Sequence, residues 1–116
     1  MTFSEEVFIH LIKAISNNKN SYGWLLQRQK HLAAFVSTLN GNENAMSWLK
    51  VNDEKLYALA NAIDQDPDSL AYLLRNEKKY AAVAGAINGH NDSFIWLEQK
   101  NYKQLTELSL AINNNY

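Results

Sequence analysis

Large apolar residues recur along this chain in two alternating patterns, each repeated at a step of 24 residues. The first is a stripe spaced i, i+3, i+4, i+7. It runs Phe8-Leu11-Ile12-Ile15, Leu32-Phe35-Val36-Leu39, Leu56-Leu59-Ala60-Ile63 and Tyr80-Val83-Ala84-Ile87. A fifth copy, Leu105-Leu108-Ser109-Ile112, is displaced by one residue because Asn101-Tyr102-Lys103 carries an insertion. That spacing is one face of an α-helix, and it predicts five copies of a helix A of about 11 residues. A small residue (Ala14, Thr38, Ala62, Ala86, Ala111) precedes the last position of every stripe and allows close helix approach.

The second pattern is a hexad: Asn20-Ser21-Tyr22-Gly23-Trp24-Leu25, Asn44-Ala45-Met46-Ser47-Trp48-Leu49, Asp68-Ser69-Leu70-Ala71-Tyr72-Leu73 and Asp92-Ser93-Phe94-Ile95-Trp96-Leu97. It predicts a shorter helix B of about 7–9 residues after each of the first four helices A. At 100° per residue, the apolar position two before the aromatic (Tyr22, Met46, Leu70, Phe94) and the following leucine lie about 60° apart and define the buried face. The aromatic itself then falls at the flank.

Polar residues punctuate the helices. Ser4, Asn52, Asn76 and Asn101 are placed to open helix A as N-caps, while Arg28 leaves the second copy without one. Ser16, Asn40, Asp64, Asn88 and Asn113 fall at the helix stops, with Gly41 and Gly89 one further on. Asn20, Asn44, Asp68 and Asp92 are placed to cap helix B, with Pro67 just outside that cap. Asparagine is abundant here because helices must start and stop every two dozen residues.

A fixed period in this range is the mark of stacked repeats, whose short helices gain stability from their neighbours. The expected fold is all-α: a right-handed α-α superhelix, or solenoid, of four 24-residue helical hairpins and a closing helix. One domain spans 1–116, with repeats at about 4–27, 28–51, 52–75 and 76–100 and a capping helix at 101–116. Polar residues on the first and last helices (His10; Thr106, Glu107 and Ser109) are expected to close the ends of the stack. In Lys55-Leu56-Tyr57-Ala58-Leu59-Ala60-Asn61-Ala62-Ile63-Asp64-Gln65-Asp66-Pro67-Asp68, Leu56, Leu59, Ala60 and the Asp66-Pro67-Asp68 turn resemble short α-solenoid units of the HEAT or leucine-rich-repeat-variant kind. The resemblance covers one repeat; it implies the architecture and a role in partner binding, and no functional residues.

Composition narrows the function. Eleven basic and twelve acidic side chains leave a net charge of −1, with no global field to attract nucleic acid or acidic membranes. Without cysteine there is neither a disulfide framework nor a thiolate metal site. The acidic start and an apolar stretch broken by His10 and Lys13 argue against an export signal or membrane span, so a cytoplasmic location is expected. The A-to-B loops are net acidic (Glu43, Asp64, Asp66, Asp68 and Asp92 against Lys19), and the B-to-A loops are net basic. Acidic residues interleave with that basic edge, which speaks against phosphate binding. Asp64-Gln65-Asp66-Pro67-Asp68 does not continue as a calcium loop, because Ser69 and Arg75 stand where glycine and a bidentate glutamate are required. His10, His31 and His90 fall at three different repeat phases, and no catalytic or nucleotide-binding motif occurs. No cofactor or metal is implied.

What is left is surface. The ladder Trp24, Trp48, Tyr72 and Trp96 reads as a packing seam between repeats or as the lining of a groove for a peptide. The next residue after each leucine breaks the repeat (Leu26, Lys50, Leu74, Glu98), so this strip is solvent-facing and its two leucines are candidate partner contacts. The expected function is a non-enzymatic protein–protein interaction module binding a protein or peptide. The alternatives are a small inhibitor or immunity-type protein occluding one target, and a motif-free enzyme or enzyme subunit.

Overall fold

Among the described residues, each helix but the last ends on a hydrogen-bonded turn that leads directly into the next one. The structure is a computed structural model and describes residues 3–116. Among those residues there are nine α-helices and no strand: α1 (Glu5–Ile15), α2 (Lys19–Arg28), α3 (Lys30–Leu39), α4 (Glu43–Asn52), α5 (Glu54–Ile63), α6 (Pro67–Asn76), α7 (Lys78–Ile87), α8 (Asn91–Gln99) and α9 (Lys103–Asn115). Odd-numbered helices are the five copies of helix A; even-numbered ones are the four copies of helix B.

The turns from A to B are four copies of one motif. Asn17, Gly41, Gln65 and Gly89 all adopt positive φ, between 70° and 89°. The next amide reaches back to the carbonyl five residues earlier: Asn18 to Lys13 at 2.9 Å, Asn42 to Ser37 at 3.0 Å, Asp66 to Asn61 at 3.0 Å and His90 to Gly85 at 2.9 Å. This is a Schellman stop. The same residue then caps the following helix, since the side chains of Asn18, Asn42 and Asp66 accept from Ser21, Ala45 and Ser69 N–H. The helix B cap position therefore lies two residues before the expected Asn20, Asn44, Asp68 and Asp92, and Pro67 is the first residue inside α6 rather than just outside its cap. Three of the four helices B are also longer than expected, at ten residues, while α8 has nine.

From B to A the first three junctions are a single non-helical residue, Gln29, Asp53 or Glu77, shared by both helices. Asn52 and Asn76, expected as openers, are instead the last residues of α4 and α6, where their side-chain amides donate to the carbonyls of Trp48 and Tyr72. Ser4 caps α1 as expected. At the insertion, Asn101 takes φ 62° and Tyr102 N–H bonds the Leu97 carbonyl, so this junction uses a Schellman stop where the others use one residue. Asn113 does not stop α9, which continues to Asn115.

Each odd helix packs on the even helix that follows it and on the next odd helix, and α9 packs on α1. The odd helices thus form a closed ring of contacts, with the even helices outside and no two of these packed on each other. A radius of gyration of 13.1 Å matches a globular chain of this length, about 13 Å. Gln104 fastens the ring by accepting from Phe3 N–H and donating to the Phe3 carbonyl, both at 2.9 Å. The expectation that α1 and α9 present polar outer ends is corrected by this contact. Ser109 is buried and bonds back to the Leu105 carbonyl, and His10 stacks on Trp24 within the first hairpin.

One continuous core fills the ring, built from Leu11, Ile15, Phe35, Val36, Leu59, Val83, Leu108 and Ile112 of the odd helices. Each even helix inserts one fully buried leucine: Leu25, Leu49, Leu73 or Leu97. The second apolar position of helix B is not buried as expected. Tyr22, Met46 and Phe94 are half-buried and Leu70 is exposed, because Ser21, Ala45, Ser69 and Ser93 occupy the inner side one turn before each leucine. Short side chains there let helix B lie close on helix A.

Candidate protein-binding groove

Because even helices do not pack on each other, a furrow runs between each neighbouring pair, floored by the odd helix beneath. What fills the furrow differs between repeats. Between α2 and α4, Tyr22 Oη and Ser37 Oγ meet at 2.6 Å across the floor, and both line a smaller open pocket of about 520 Å³. Between α4 and α6, the floor carries Tyr57 and Asn61 at the matching positions, and the wall carries Lys50. Between α6 and α8 the floor is Ala81, Ala82 and Gly85, and the walls are Leu70 and Leu74 on one side and Trp96 on the other. This third furrow is an open groove of about 740 Å³.

Gly85 sets how closely α8 approaches. A Cβ there would lie 2.9 Å from Ser93 Cβ, nearer than side chains pack, so α7 and α8 meet at a distance only glycine permits. Trp96 is held half-buried against Tyr102, with ring centroids 5.8 Å apart, and Lys100 Nζ lies 5.9 Å from its ring centre. Leu74 is 53 % exposed.

The ends of the groove differ in charge. Lys78, Lys79 and Lys100 line it where α6 and α8 end and α7 begins, together with Glu77. Glu77 is drawn toward the preceding repeat by Lys55, at 3.6 Å. At the other end stand His90 and Asp92, in the turn and first helical turn leading into α8.

Only two of the eight surface positions singled out from the sequence come together in this groove: Leu74 and Trp96. Leu26 is exposed on α2, Lys50 on α4, and Glu98 beside the α8–α9 turn. The aromatic ladder is half-buried at all four rungs and is not one continuous lining. Trp24 stacks on His10, at 4.1 Å, and lies under the Arg28 guanidinium, at 4.9 Å. Trp48 meets the edge of His31 at 5.0 Å and lies under Lys30. Tyr72 stays on α6, outside the groove lining. Leu70, Ala82, Gly85 and Tyr102 were not singled out. The signal for the floor is present in the sequence, since Ala81-Ala82-Gly85 is the smallest of the equivalent sets, beside Tyr57-Ala58-Asn61 and Ala33-Ala34-Ser37.

Among the described residues, no three histidine or carboxylate side chains converge to hold a metal, and no helix is long and apolar enough to cross a membrane. Comparison with protein-family models, with curated proteins and with solved structures finds no match.

Proposed function

We propose that this chain is a non-enzymatic protein–protein interaction module, one closed turn of a right-handed α-α superhelix of four hairpins and a closing helix, and that it binds its partner through the α6–α8 groove. The observation that carries the reading is the pairing of exposed Leu70 and Leu74 with half-buried Trp96 across a floor of alanine and glycine. Apolar side chains held open over a short-side-chain floor suit an inserted side chain from a partner, and anchors of this kind dominate interface energies. A rigid scaffold adds affinity because little ordering is required on binding.

The test is affinity capture with quantitative mass spectrometry, comparing the wild-type chain with Leu74→Glu and, as a control on a distant helix, Leu26→Glu. Both positions are exposed, so circular dichroism is expected to be unchanged. Selective loss of a stoichiometric protein partner with Leu74→Glu supports the groove. Equal capture by all three chains removes it.

A further inference from the structure

From the charge distribution around the groove we infer the class of its occupant: a partner segment that places large apolar side chains between Leu70, Leu74 and Trp96 and carboxylates at the Lys78–Lys100 end. This rests on the groove being the binding surface and adds what it selects.

Three lysines line that end, and the one carboxylate among them, Glu77, is engaged by Lys55 of the preceding repeat. The local field is therefore positive. Asp92 at the opposite end opposes an acidic residue there and gives the groove a direction. Lys100 and Trp96 are coupled, since the ammonium lies over the ring that forms the apolar wall. A carboxylate bound by Lys100 is thereby placed beside the apolar seat, so the two kinds of recognition fall on adjacent residues of the ligand. The repeat supplies an internal contrast: in the furrow between α4 and α6, Lys50 and Tyr57 take the places of Leu74 and Ala81, removing the apolar seat. Exposed charge pairs are individually weak, so the lysines act mainly on orientation and selectivity.

Three synthetic peptides sharing one apolar half, of leucine and phenylalanine, and ending in glutamates, glutamines or lysines test this by NMR titration of the Trp96 indole N–H. The glutamate peptide is expected to bind about tenfold more tightly than the glutamine peptide at low salt, with the gap narrowing as salt screens the charges. The lysine peptide is expected to bind weakest. In the Lys78→Gln/Lys100→Gln variant the glutamate and glutamine peptides should converge. If the three peptides shift Trp96 with equal affinity, the acidic selectivity is overturned while the groove itself stands. If none shifts it, the inference fails, and capture by the Leu74→Glu chain decides the groove separately. A Trp96 shift that depends on protein concentration alone means that a second copy fills the groove, which also overturns the inference.

Discussion

His31 and Asp53 join two successive hairpins: His31 Nδ1 lies 2.9 Å from Asp53 Oδ2, and the other carboxylate oxygen accepts from Leu56 N–H at 3.2 Å to cap α5. One side chain thus links repeats and starts a helix. The same positions one repeat on hold Lys55 and Glu77, 3.6 Å apart, and one further on Lys79 lies over the Tyr102 ring at 5.1 Å. The chemistry changes from repeat to repeat while the geometry is kept.

Replacing Asp53 separates the two duties. Asp53→Ala is expected to cost about 1–2 kcal/mol through loss of the cap. Asp53→Asn keeps a capping oxygen and should lose only the exposed link to His31, about 0–1 kcal/mol. Urea midpoints of the two variants decide it; equal losses would mean that the link to His31, not the cap, carries the effect.

The left-handed turn residues give opposite predictions at equivalent sites. Gln65 holds φ 70° against the preference of a side chain, so Gln65→Gly should stabilise the protein by about 1 kcal/mol. Gly89 holds φ 89°, and Gly89→Ala should destabilise it by a similar amount. Thermal melting of both variants is a direct check, and a fall in Tm for Gln65→Gly would contradict the turn assignment.

Gly85 and Ser93 are expected to be strongly coupled. Gly85→Ala gains about 1 kcal/mol of helix propensity but forces α8 outward, at about 1–3 kcal/mol, for a net loss. Adding Ser93→Gly should recover much of that loss and Ser93→Ala only part of it, because alanine removes the nearer Oγ and keeps the Cβ. A double-mutant cycle in denaturant reads the coupling.

Alkaline titration has a defined sign. Burial, aided by the charges of Asp53 and Glu77, holds the Tyr80 phenol well above its ordinary value of 10.0. Below that pH the phenol is neutral in both folded and unfolded chains, and its contribution to stability is fully present. As pH rises beyond 10, only the unfolded chain releases the proton, so stability falls through the folded value at up to about 1.4 kcal/mol per pH unit. Tyr80→Phe should reduce this slope, measured as denaturation midpoints between neutral pH and strong alkali.

Much of the fold was legible along the chain. The step of 24 residues gave the number and order of helices, and the leucine after each aromatic is indeed fully buried. Cap positions were displaced by up to two residues because the Schellman amide and the N-cap side chain belong to one residue, Asn18 for example, an economy that residue preferences do not reveal. Four half-buried aromatics agree with the flank position inferred from helical angles, but their surroundings differ from rung to rung.

The chain by itself determined what depends on neighbours within a turn or two: helical stripes, stops, and the small residues that let helices touch. These are local hydrogen bonds and i, i+4 contacts, and they repeat wherever the residues repeat. Tertiary structure alone decided that α9 returns to α1 and that the furrow between α6 and α8 stays open. Closure depends on the summed rotation of four hairpins, and the groove on side chains from three helices and the Tyr102 turn, so neither is a property of any one segment.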